Sequence, residues 1–443
     1  VFYKFNNIFL RAVHMYTPEA EFYFSVAMHH LLLFVSAVLW FKIGGLLGLG
    51  TVHFFVGIFY VVLMEAAFLP QSFWSENISM PLVMYVLYAA VKIYKERDAT
   101  ERWPFVRPLL LGLALGFLIT TRVTPVIFLL GIYVLFIYSP ISRSKKIKTS
   151  LLITGTSLGV VFIMMAGNMF RYGHFEFTSN LGGHLWNIVH EDPELVLKET
   201  PQFQKLRSSL DLERLKVCYW VLDKRIKRSG NPDLEVYANN GREYQKFLRS
   251  MVLDGIGNHP FIFLKWIAWK TVRSFGALEV ERVGKWGDQS PAGLKNPMRN
   301  PLKRTSYLPA PIEADNEKQA WFFDVLYERS KFVSRFLFDP SGSLFFALLM
   351  TVFYGCLQIP FLIEEQKRSR LVRFTAEECV EYVPVFLFLA VLFLGYHVLT
   401  NFVEHYHNRF YLTALPVLAL LVSIEIKMIV SIISRLIGDR EKK

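Results

Sequence analysis

The feature that most limits the fold is a series of apolar runs, each long enough to cross a bilayer and separated by short basic loops. A membrane-spanning helix takes roughly 20 mostly apolar residues, and about nine segments meet that length. They are 22–46, 48–70, 78–95, 106–122, 123–140, 150–168, 342–364, 380–400 and 411–434. Within hydrocarbon only a helix or a closed barrel satisfies every backbone N–H and C=O. Uninterrupted runs of this length predict helices, so the sequence reads as an all-α polytopic membrane protein. The division of 106–140 rests on Thr120-Thr121-Arg122, its only polar break, and on Pro125, which favours a tight turn.

The stretch after the sixth run is too polar to cross a membrane. The chain divides into three regions: 1–168, an external amphipathic segment and about six spans; 169–341, a largely helical external domain; and 342–443, about three spans and a cytoplasmic tail. Within the external domain, 243–253 and 261–275 carry an apolar face at helical spacing. Trp266, Trp269 and Phe275 alternate with Lys265, Lys270 and Arg273. Two readings fit that segment equally: a helix lying in the membrane interface, or an ordinary packed helix. Residues 282–312, rich in Gly, Pro and basic side chains, read as a long irregular loop.

Apolar residues make up 53% of the 443 and charged ones 19%, against about 25% charged in soluble chains. The formal charge of +12 does not point to nucleic acid, because the Lys and Arg stand in short loops beside apolar runs. That distribution sets membrane orientation. It assigns Lys92–Arg107, Arg143–Lys148, Lys367–Arg373 and Arg435–Lys443 to the cytoplasm. The opposite face receives 1–21, 71–77, Arg122, 170–341 and 404–409. An external N-terminus predicts a first helix and loop ahead of Val1. Three scattered cysteines make neither a disulfide framework nor a zinc site.

Four features meet on the external face by this topology: Gln71–Asn77, which holds Glu76; Arg122; Asn168–Gly173 with Thr178–Gly183; and Glu404–Arg409. Arg offers fixed bidentate donors to phosphate oxygens, and a carboxylate serves as a base or holds a sugar hydroxyl. Arg409, Arg122 and Arg171 are the candidate phosphate contacts. Glu76, Glu404, His405 and Tyr406 are the candidates for orienting sugar or acceptor. Each has a plainer reading: Glu76 favours a helix start, Arg122 snorkels to the interface, and Arg171 pairs with a carboxylate. His405 and His407 alternate as in a metal site, but two histidines alone are weak evidence for one.

Several segments resemble the polytopic GT-C glycosyltransferases, in the branch of the dolichyl-phosphate-mannose protein mannosyltransferases and the lipid A aminoarabinose transferase. Gly112–Pro125 (Gly-Leu-Ala-Leu-Gly-Phe-Leu-Ile-Thr-Thr-Arg-Val-Thr-Pro) looks like the family's hairpin. Asn168–Phe175 with Thr178–Gly183 looks like its passage into the external region. Ile256-Gly-Asn-His-Pro260 with Phe263 and Lys270 is similar to its external helices, and Asn408–Leu412 with Pro416 to its closing motif. The family's acidic catalytic residue lies in the first external loop, whereas Val1–Ala37 resembles the segment beyond that loop. The resemblance therefore places the acid in a segment before Val1 or on another chain.

The resemblance implies inverting transfer of a sugar from a polyprenyl-phosphate donor to a glycan, lipid or protein acceptor. It implies no definite cofactor and leaves a divalent cation as an option. The setting it implies is a bacterial plasma membrane or the endoplasmic reticulum. Two other readings compete: a non-catalytic GT-C-like scaffold subunit, and a transporter or flippase. The absence of paired broken helices counts against the last.

Overall fold

The structure, a computed structural model, describes residues 10–63, 76–95, 105–275, 370–403 and 415–441, with short breaks that include 122–123 and 177–180. Among the described residues the protein is all-helical, and three helices are long and apolar enough to cross a membrane: Tyr23–Leu46, Ile78–Lys95 and Arg143–Arg171. Shorter apolar helices cover Val106–Thr121, Thr124–Ile137 and Pro384–Thr400. This is the make-up of an integral membrane protein. The run 342–364 and the loop 282–312 lie outside the described residues.

The first helices are α1 (Pro18–Leu46), α2 (Gly50–Leu63), α3 (Glu76–Lys95) and α4 (Val106–Thr121). Thr17 starts α1, its hydroxyl accepting from the Ala20 N–H at 3.0 Å with Pro18 in the first turn. A single 3-10 turn, Thr124–Val126, leads into α5 (Ile127–Ile137), so Pro125 does mark the division of 106–140. Next comes α6 (Arg143–Tyr172), which runs past the expected span end at 168 before Gly173 stops it at φ 74°. The last two helices are α13 (Arg370–Val403) and α14 (Leu415–Glu441).

Close contacts fix the relative directions. A Cβ added at Gly112 of α4 would sit 2.8 Å from the Ile153 carbonyl oxygen, and one at Gly116 would sit 2.7 Å from Val160 Cβ. Contact positions therefore advance together, and α4 runs parallel to α6. Gly112-Leu-Ala-Leu-Gly116 is thus a small-xxx-small face that lets two backbones approach, and the Ser157 hydroxyl donates across it to the Gly112 carbonyl at 3.0 Å. Helix α5 runs the other way: Tyr133 meets Thr154, and Lys146 Nζ donates to the Ile137 carbonyl at 2.9 Å. Gly131 lies against Leu392 and Phe388, and Gly395 against Ile127, so α13 is antiparallel to α5. Helices α4, α6 and α13 consequently share one direction.

That direction sets Arg107 and the Arg143–Lys148 cluster at one end of the bundle, with Arg370 and Arg373 further out on the same side. Four cations in the first turns of α6 oppose the helix dipole. Their position suits a bilayer boundary rather than helix electrostatics. Above them α6 leaves Leu151, Phe162 and Ile163 more than 60% exposed. Hydrating such side chains forgoes about 1.5–3 kcal/mol each relative to burial, so lipid is their natural solvent.

At the other end the chain continues into a helical unit: α7 (Leu181–Val189), α8 (Pro193–Leu197), α9 (Pro201–Ser209), α10 (Tyr219–Ser229), α11 (Gly241–Asn258) and α12 (Pro260–Phe275). It has its own core, centred on Trp186, Phe203, Leu248, Met251 and Phe263. Asn187 Oδ1 accepts from the Tyr219 N–H at 2.9 Å, and Trp186 Nε1 donates to the Val217 carbonyl at 2.8 Å. Helices α7 and α12 both pack on α13, which seats the unit on the end of the bundle.

Candidate functional site

Because α4, α6 and α13 are parallel, their C-terminal ends (Thr121, Tyr172 and Val403) face the same side, the side that carries the 181–275 unit. Arg122 and Glu404 are the next residues in sequence after two of those ends. The register sharpens the picture. Ile127 lies against Gly395, and the antiparallel run takes Thr124 and Thr400 from that contact toward the same end, on elements that touch.

Both hydroxyls are informative. Thr124 is 1% exposed and Thr400 is fully buried, yet among the described residues neither Oγ1 finds a hydrogen-bond partner. Leaving a buried hydroxyl unsatisfied costs on the order of 1–3 kcal/mol. By contrast, Thr120 and Thr121 return their hydroxyls to the Phe117 and Leu118 carbonyls at 2.7 and 2.6 Å. Two orphan hydroxyls on adjoining elements, at the end where the chain passes into Arg122 and Glu404, mark a polar spot in an otherwise apolar junction. Sequence reasoning passed over both. The available signal was a Thr two residues beyond an intramembrane Arg.

The sequence candidates fare unequally. Arg171 is exposed on the last turn of α6. Gly116 lies level with Val160, so Thr121 falls near residue 165, and Arg171 stands about 9 Å further along the axis. The structure therefore does not bring Arg171 level with the end of α4. Glu76 opens α3, and its side chain lies outside the described residues. Arg122, Glu404, His405, Tyr406 and Arg409 lie outside them as well. Among the described residues no group of three His, Cys, Asp or Glu side chains is placed to hold a metal ion.

A second polar cluster joins α7 to α12. The Ile188 carbonyl accepts twice, from Trp266 Nε1 at 2.9 Å and from Lys270 Nζ at 3.0 Å. Lys270 is 4% exposed, with Glu191 3.9 Å away. His190 is buried beside them with Nδ1 2.9 Å from the Asn187 carbonyl. Burial, with a smaller push from Lys270, lowers its pKa. The neutral ring is thus the folded form, while the unfolded chain takes up a proton below about pH 6.5. Stability from this group is present above that pH and falls as pH drops through it. The thermal midpoint of the full chain is expected to fall from pH 7.5 to 5.5, with His190→Asn shrinking the difference. An equal fall in the variant would remove His190 as the cause.

No family model, curated protein or solved structure matches this chain.

Proposed function

We propose that the chain is a GT-C-type membrane glycosyltransferase of about nine spans, taking a sugar from a polyprenyl-phosphate donor at the external face of a bacterial plasma membrane. The observation that supports this is the shared direction of α4, α6 and α13. It sends the chain toward Arg122 and toward Glu404–Arg409 from one end of the bundle, beside two buried hydroxyls that have no partner among the described residues.

In this reading the acceptor hydroxyl gives its proton to a carboxylate and its oxygen attacks the anomeric carbon from the face opposite the phosphate. The carbon–oxygen bond to phosphate breaks, the configuration inverts, and polyprenyl phosphate leaves with the bonding pair. Arg409 and Arg122 hold the phosphate, whose negative charge grows during the step, with Arg171 a third, more distant contact. Glu76, Glu404, His405 and Tyr406 orient the sugar or acceptor, and the base is the acidic residue that the family carries in its first external loop. The polyprenyl tail partitions into lipid alongside the bundle.

Donor capture can be separated from turnover. The full-length protein in nanodiscs, given a panel of radiolabelled polyprenyl-phosphate sugars, is expected to retain at least one saturably and to release it to excess polyprenyl phosphate. No saturable retention across the panel overturns the proposal. Retention without transfer to any acceptor identifies a donor-binding scaffold.

A further inference from the structure

We infer that α12 is a membrane-contact helix, its outward face seated in the headgroup–acyl boundary of the leaflet beneath the 181–275 unit. The two sides of this helix differ sharply. Phe263 and Ile267 are buried in the core of the unit, and Trp266 and Lys270 are tied to the Ile188 carbonyl. The other side leaves Phe261 84%, Leu264 55%, Trp269 48% and Ile262 39% exposed. At 100° per residue these four, with Ala268 and Lys265, form one unbroken arc about 12 Å long from 261 to 269.

Isolated exposed apolar residues are ordinary, but a contiguous patch of large ones marks a contact surface. Position on the bundle identifies the occupant as lipid. Helix α12 packs directly on α13, whose stretch Pro384–Thr400 is apolar and leaves Leu394 and Val398 exposed. Arg249 of α11 lies 3.7 Å from Glu176, just beyond the end of α6, and Phe170 in the last turn of α6 is 90% exposed. The unit therefore sits close to the level at which two apolar helices end, and this exposed apolar face belongs to the helix that packs against α13. Lys265 within that face fits the same place: its stem covers apolar surface while its ammonium reaches the phosphate layer. Trp269 has the amphipathic ring favoured at that depth. Because the Ile188 carbonyl holds the opposite side of the helix at two points, lipid contact along α12 would fix the tilt of the whole unit.

The inference does not depend on sugar transfer, and its test uses the full chain. Phe261→Cys, Leu264→Cys and Ser208→Cys, each made with Cys218→Ala, Cys356→Ala and Cys379→Ala, carry a nitroxide label in nanodiscs of phosphatidylcholine and phosphatidylglycerol. Ser208 is exposed on α9 and serves as the aqueous reference. At 261 and 264 the ratio of collision with oxygen to collision with a water-soluble nickel chelate is expected to be several-fold higher than at 208. Ratios equal to that at 208 would place the face in water and overturn the inference. Shielding of 261 and 264 from both reagents would overturn it too, because protein rather than lipid would then cover the face.

Discussion

Gly112→Val and Gly116→Val are each expected to destabilise the protein, while Gly155→Ala leaves stability unchanged or slightly raised. The first two glycines lie where α4 crosses α6. A Cβ at Gly112 meets the Ile153 carbonyl oxygen and Thr156 Cβ, both at 2.8 Å, and one at Gly116 meets the Ser157 carbonyl oxygen at 2.9 Å. Backbone cannot swing aside as a side-chain tip can, so the helices must separate. Overpacking of this kind costs about 1–3 kcal/mol, occasionally more. Separation would also loosen the Ser157 hydroxyl from the Gly112 carbonyl. The two changes share one interface and should not add. Gly155 lies on the same α6 with open space around it, and Ala gains about 0.5–1 kcal/mol over Gly inside a helix. The measurement is the temperature at which purified protein in detergent loses its monodisperse elution peak. A Gly112→Val protein as heat-stable as the parent would refute the close α4–α6 contact.

These glycines show what hydropathy could and could not convey. Apolar length alone places helices at 22–46, 78–95 and 150–168, and one proline finds the break between α4 and α5. Hydropathy assigns Gly112 and Gly116 only to an apolar run, and the resemblance assigns them to a motif. Neither says that they face another backbone, because that depends on which helix becomes the neighbour. The end of α6, four residues beyond the apolar run, differs for a related reason. Asn168, Arg171 and Tyr172 look like the start of a loop, yet the helix continues because a structured unit, rather than open water, receives it. Lys270 reads as one of three cations beside the aromatics of its helix, and that pattern does not reveal that its ammonium donates to the Ile188 carbonyl. For α12 one side is packed, as the plainer reading expects, and the other is exposed. In the candidate site, charge and motif single out arginines and carboxylates, while Thr124 and Thr400 stand out only once their burial and their lack of partners among the described residues are known.

Loss of sugar transfer in Arg409→Ala is the largest effect expected on activity. Arg409 stands in Glu404-His405-Tyr406-His407-Asn408-Arg409-Phe410-Tyr411 between two apolar runs, and ionisable residues at membrane depth are costly unless paired or used. In the proposed reaction it donates two charge-assisted hydrogen bonds to a phosphate whose charge grows as the sugar departs. Losing one such contact costs on the order of 3 kcal/mol, about a hundredfold in rate. Arg409→Lys keeps the charge and loses the planar fork, so it should also impair transfer, though less than Ala. Arg171→Ala is the comparison, because Arg171 is exposed and set about 9 Å along the axis from the level of Thr121; its effect should be the smallest of the three. Transfer from a polyprenyl-phosphate donor is measured for the full-length parent and all three variants in membranes matched for protein content. Binding of the same donor, measured alongside, separates a phosphate contact from general misfolding. Undiminished turnover in Arg409→Ala would take this residue out of the mechanism and shift the phosphate-holding role to Arg122.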